Sequence, residues 1–320
     1  MTNTAPPLPV PPAPLAAADL LPRDRLLGVG AALVTIVIWA SFIVVSRFGA
    51  THSLTVWDVA FLRYAPTTLL LAPLCVKSWP RLRQAGPLKL GLMAVGGGMP
   101  FLLVGMSGMQ FAPAAHAGAM MPGAMPLFVA LFAAVVFGER YPAVRLGGFA
   151  LIVVGVLAIG GYHLFLLGTG YWRGHLLFLT AAALWAGYTL ALKRAALPAL
   201  PAIAFIYVLG GALYAPVYFL ALPSHLATTP WPEIGLQLVQ GILSGVISLF
   251  TYSVAVTRLG PTKAAAFGAL APALAAVAAI PLLGEWPDTA SWAGIPAIVL
   301  GVMLANGAFG GKPASNLKGG

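Results

Sequence analysis

Pro113–Tyr141 reads PAAHAGAMMPGAMPLFVALFAAVVFGERY, and far down the chain Pro261–Trp286 reads PTKAAAFGALAPALAAVAAIPLLGEW. Both runs are apolar and rich in small residues. Pro126 stands twelve residues before the pair Gly138-Glu139, and Pro272 stands twelve before Gly284-Glu285. The second copy lies 146 residues after the first, and the same offset relates Trp39-Ala40 to Trp185-Ala186, Arg47 to Lys193, Gly148 to Gly294 and Gly155 to Gly301. The chain is thus a duplication, and each copy must fold in much the same way as the other.

The environment of that fold follows from composition. Hydrophobic residues make up 60% and charged residues 8% of the 320, and the mean hydropathy is +0.94. Soluble domains carry roughly 25% charged residues, so the class is an integral membrane protein. A spanning helix needs about 20 apolar residues. Ten segments qualify, at 26–46, 57–76, 88–109, 113–137, 143–162, 172–192, 201–222, 234–256, 262–283 and 290–308. The expected fold is all-α. A first five-helix repeat covers 26–162 and a second covers 172–308, between a Pro-rich disordered tail at 1–25 and a C-terminal tail at 309–320. Five spans per copy is an odd number, so the second copy enters the membrane from the opposite side. The two form an inverted repeat about a pseudo-two-fold axis in the membrane plane, around a central cavity.

The net charge of +10 then speaks of topology and lipid, not of nucleic acid. With the N-terminus cytoplasmic, fourteen of the 17 Lys and Arg residues fall on the inner side. Only Arg47 and Arg173 fall outside, and Arg63 lies within a span. Both termini are expected in the cytoplasm. Cys75 is the one cysteine, which excludes an internal disulfide and argues against a cysteine metal site. No HExxH run, nucleophile elbow or Cys-His arrangement appears. An enzyme is not expected, nor a cofactor or a bound metal.

Ten spans, a five-plus-five duplication, and fourth and ninth spans ending in Gly-Glu resemble the drug/metabolite transporter superfamily in its EamA-type branch. The positions that carry the resemblance are Trp39, Trp185, Pro126, Pro272, Glu139 and Glu285. It implies a carrier in the cell membrane, in bacteria the inner membrane, exporting amino acids or other small metabolites through a cavity among spans one, three, four, six, eight and nine. Its partners would be a small solute and the bilayer, with the oligomeric state left open.

Residues read as candidate substrate contacts are Trp39 and Phe42 on the first span, their exact-offset counterparts Trp185 and Tyr188 on the sixth, Met99 and Met106 on the third, and the stripe Ser244, Ser248 and Tyr252 on the eighth. Together they describe an apolar, aromatic wall with a few polar anchors, suited to amphipathic solutes such as aromatic or hydrophobic amino acids. Arg63, His116 and Lys263 are candidate charge partners. Pro100, Pro122, Pro126 and Pro272, near mid-span, are candidate hinges. No carboxylate lies at mid-membrane, which disfavours proton antiport of organic cations. A carrier of phosphorylated metabolites would want paired interior bases, and only Arg63 and Lys263 come near.

Overall fold

The computed structural model describes residues 22–307. The expected tails lie outside these residues except for positions 22–25, which are helical and open the first span in place of the expected disorder. Thirteen α-helices follow one another: α1 (Pro22–Thr51), α2 (Val56–Leu82), α3 (Pro87–Gly97), α4 (Met99–Phe111), α5 (Ala114–Phe137), α6 (Ala143–Gly161), α7 (Trp172–Ala195), α8 (Ala199–Ala221), α9 (Trp231–Ile242), α10 (Ser248–Leu259), α11 (Pro261–Gly268), α12 (Ala271–Leu283) and α13 (Thr289–Ala305). Among the described residues nine helical runs are long and apolar enough to cross a membrane, and Thr289–Ala305 is a shorter apolar helix of the same kind. Three of the ten spans are composite. The third is α3 plus α4, the eighth α9 plus α10, and the ninth α11 plus α12. With ten crossings, residues 22 and 307 lie on one face, called the terminal face here; the other is the distal face.

The twinned Gly-Glu motif is a helix stop. Gly138 and Gly284 adopt left-handed backbone, with φ of 67° and 68°, a conformation that a side chain resists. The Gly138 amide donates to the Ala134 carbonyl and that of Glu139 to Ala133; Gly284 and Glu285 donate to Ile280 and Ala279 in the same pattern. Paired bonds of this sort end a helix and aim the next residue outward. The glutamate is thereby set just beyond the helix, once at each face of the membrane.

The two-fold relation is visible where α6 crosses α13. A Cβ at Gly148 would stand 2.8 Å from the Gly301 carbonyl oxygen, and one at Gly301 would stand 2.7 Å from that of Gly148. Gly155 and Gly294 face each other likewise, at 2.7 and 2.9 Å. The repeat carries one contact onto the other, Gly148 to Gly294 and Gly301 to Gly155, as a pseudo-two-fold axis requires. In lipid, where apolar surface gives helices little reason to associate, such close backbone approach is a main source of packing energy.

The interruptions also fall at related positions. The third span breaks at Gly98, whose φ and ψ of −95° and −152° are extended. The position 146 residues on is Ser244, inside a π-helical turn at Leu243–Ile247. Pro100 lies in the first turn of α4, where its missing N–H costs nothing; it is exposed, and the break belongs to Gly98. Pro272 likewise opens α12. Pro122 and Pro126 sit inside the unbroken α5, where each removes one backbone bond.

Candidate functional site

A cavity of about 580 Å³ lies between the repeats. Its wall is mostly apolar and aromatic: Trp39 and Phe42 of α1, Tyr64 of α2, Phe101 of α4, Trp185 and Tyr188 of α7, Tyr207 of α8 and Tyr252 of α10. Thr189, Ser244 and Asn306 add polar groups, and Pro122, Pro126 and Pro272 line it with Gly97 and Gly268. The aromatics support one another. Trp39 meets Tyr252 with ring centroids 5.3 Å apart, Phe101 meets Trp185 at 5.1 Å, Trp185 meets Tyr188 at 5.0 Å and Tyr64 meets Tyr207 at 4.6 Å. Such contacts fix ring orientation. Glycine makes room on one side: a Cβ at Gly97 would stand 2.8 Å from the Tyr188 ring, and one at Gly268 3.0 Å from that of Trp39.

Three expected contacts are elsewhere. Met99 and Met106 do not line the cavity; they are buried behind its wall in a cluster with Tyr64, Tyr214 and Tyr218. The break at Gly98 turns α4 about its axis, so that Phe101 and Leu102 line the wall in their place. Ser248 is buried, donating to the Ser244 carbonyl at 2.7 Å. The wider π turn adds a residue to the repeat, and the every-fourth stripe of Ser244, Ser248 and Tyr252 loses its register. Lys263 is exposed at the start of α11.

Arg63 is buried, 2% exposed. Its Nε donates to Gln237 Oε1 at 3.1 Å, and its guanidinium lies 4.6 Å from the centroid of Phe42, itself a wall residue. Both terminal nitrogens lack a hydrogen-bond partner among the described residues. Asp58 does not pair with it; that carboxylate caps α2 and accepts from Tyr218 at 2.5 Å and Ser224 at 2.7 Å. Gln237 also donates to the Val45 carbonyl at 3.0 Å, and Ser41 donates to Gln240 at 3.3 Å. The two buried glutamines carry the polar stripe of the eighth span back from Ser244 to Gln240 and, one turn further, to Gln237, and that continuation is the signal by which the sequence marks them.

The cavity is displaced towards the terminal face. Its lining begins at Tyr64 on α2, Met121 on α5 and Trp185 on α7, all well inward of the distal ends of these helices, and reaches Asn306 at the terminal end of α13. Beyond it, the distal face is shut by polar contacts. Arg47 Nε donates to Glu285 Oε1 at 2.6 Å, Arg47 Nη1 donates to the Met109 carbonyl, and Glu285 Oε2 accepts from the Ala114 amide at 2.8 Å. The repeat counterpart of this pair closes nothing. Lys193 Nζ donates to Glu139 Oε1 at 2.6 Å with side chains 64% and 36% exposed, against 17% and 20% for Arg47 and Glu285. Lys193 and the Tyr141 hydroxyl hold the Glu139 carboxyl below its ordinary range.

His116 is not in the cavity. It lies at the distal face with His163, His175 and Asp288. Burial pushes the Asp288 carboxyl up, while its contacts with His116, the Ser291 amide and His163 pull it down, and the net direction is down. Sequence reading singled out His116 alone, since its partners lie 59 and 172 residues away.

The geometry has counterparts among known proteins. The model of the EamA-like transporter family matches residues 26–161 and again 172–307. No curated protein matches the chain. One solved crystal structure of a protein aligns over 88% of this chain and 96% of its own, with a TM-score of 0.56 and 23% identity, a likeness of fold alone. Two family matches, one per repeat, together cover most of the chain, and the protein belongs to the EamA-like transporter family.

Proposed function

We propose that this membrane transporter is an alternating-access carrier of amphipathic solutes bearing a carboxylate, amino acids with aromatic or hydrophobic side chains first among them, and that it exports them as an uncoupled facilitator. The carrying observation is the cavity wall, aromatic on both repeats and lacking any carboxylate. Rings and methylenes of the solute would pack on Trp39, Phe101, Trp185 and Tyr188, and Thr189, Ser244 and Asn306 would orient its polar end. Arg63, buried behind Phe42 with two unpartnered nitrogens, supplies the only buried cation near the wall among the described residues, and favours an anionic group over a cationic one. Organic cations, the alternative class, find no acid to pair with.

The concentration of Lys and Arg beside the terminal face makes that face cytoplasmic. The cavity as it stands then opens inward, ready to load from the cytoplasm, and the distal contacts form the closed outer gate. Exchange of the two arrangements between the repeats would carry the solute out.

The test is counterflow. Purified protein in liposomes is loaded with unlabelled phenylalanine or leucine and offered the labelled amino acid outside. Saturable, trans-stimulated uptake is expected, and Trp185→Ala should lower it about 10-fold or more while the protein still folds, consistent with the loss of an aromatic contact of roughly 1.5 kcal/mol. Absence of saturable uptake for a broad amino-acid panel would overturn the substrate class.

A further inference from the structure

The chain has five histidines, and three of them meet at one place that the cavity does not use. His116 on α5 and His163 in the π turn after α6 converge on Asp288, the N-cap of α13, and His175 on α7 stands behind His116. We propose that His116, His163 and Asp288 form a binding site for a divalent transition cation of the zinc class at the distal face.

One ligand atom from each residue lies within 4.8 Å of the others. Asp288 Oδ2 stands 2.6 Å from His163 Nε2 and 3.4 Å from His116 Nε2. Zinc–nitrogen and zinc–oxygen bonds of about 2.0–2.1 Å in a tetrahedron set ligand atoms roughly 3.3 Å apart. The His116 to Asp288 spacing already has that value, and the His163 contact needs to open by less than roughly an ångström. Two imidazoles select a zinc-like ion over calcium or magnesium, which take oxygen ligands. Two protein nitrogens and one oxygen leave a fourth position for water, and Asp288, 29% exposed, gives the ion a path from the distal surface.

Each ligand is also held from behind. His116 Nδ1 lies 3.0 Å from His175 Nε2, His163 Nδ1 lies 3.2 Å from Thr169 Oγ1, and Asp288 Oδ1 accepts from the Ser291 amide at 2.7 Å. Metal-bound histidines are ordinarily oriented by a partner on the second ring nitrogen. When both Nδ1 atoms carry the proton and donate to these partners, both Nε2 lone pairs point at one carboxylate oxygen. That arrangement repels unless a cation lies between them. The competing arrangement puts a proton on each Nε2 and holds no metal, and a metal titration separates the two.

His116 and His163 belong to the first repeat and Asp288 to the second, so the bound cation would join the halves beside the Arg47–Glu285 contact. Resting on the carrier reading above, zinc on the distal side is then expected to slow exchange by holding the outer gate shut.

The test uses the full chain in detergent, freed of any polyhistidine tag, stripped with a chelator and titrated with zinc chloride while bound metal is counted. One zinc per chain and a raised Tm are expected. His163→Gln and Asp288→Asn should each weaken binding by at least about 10-fold. The double variant His52→Gln/His225→Gln, which removes the two histidines outside the cluster, should bind as before. Where a ligand variant does not fold, His175→Gln and Thr169→Val remove only the partners behind the rings and should weaken zinc about 10–100-fold. No stoichiometric zinc on the folded parent, or equal affinity in all the cluster variants, overturns the site. A protein that binds zinc here yet carries no solute contradicts the carrier reading and leaves the site standing.

Discussion

Arg47–Glu285 and Lys193–Glu139 are the same contact made twice. The residues are related by the repeat, each glutamate is set by the same glycine-capped helix end, and each first bond is 2.6 Å long. Their surroundings differ. At the distal face the arginine also donates to Met109 and the glutamate also accepts from Ala114, so one pair ties α1, α4, α5 and the α12–α13 turn together. At the terminal face the pair stands in the open, where the Tyr141 hydroxyl donates to Glu139 and the Lys193 ammonium lies over the Phe137 ring. A symmetric sequence has folded into an asymmetric state. The lesson is that this repeat places the same latch twice, buried and tied into its neighbours on the side away from the cavity and exposed on the side towards which the cavity lies.

That comparison can be broken by removing one latch at a time. Glu285→Gln leaves a largely buried guanidinium without its anion. It should cost about 2 kcal/mol, the scale of a hydrogen bond to a charged group, seen as a fall of several degrees in Tm in detergent. Glu139→Gln should leave Tm unchanged, because exposed ion pairs contribute little. Equal losses of stability in the two variants would mean that the difference in burial does not set what each latch contributes.

Much of the fold could be read from the chain because it depends on local chemistry. The Pro-x11-Gly-Glu twins announced the duplication, and the need to end a helix explains their glycines, Gly138 and Gly284. Arg47 and Lys193 were visible as counterparts, but not as the partners of Glu285 and Glu139, since those contacts close 238 and 54 residues of chain. The cavity shows where periodicity fails. Trp39, Phe42, Trp185 and Tyr188 lie on uninterrupted stretches and reach the wall together. Met99, Met106 and Ser248 were placed by counting along helices that break at Gly98 or widen at Leu243–Ile247, and the count carries no face across such a defect. The histidine cluster draws on four separate elements, so no spacing announces it.

The central claim is that the cavity opens at the terminal, cytoplasmic face while the distal latch holds, and thiol labelling tests it most directly. In a Cys75→Ala background, Ser244→Cys places a thiol on the cavity wall, and a membrane-impermeant maleimide is applied to right-side-out or to inside-out vesicles. The account predicts faster labelling from the cytoplasmic side than from the outside, with the outside reaction accelerated once Glu285→Gln is added. Equal or faster labelling from the outside in the parent, or an outside rate that Glu285→Gln leaves unchanged, would contradict it.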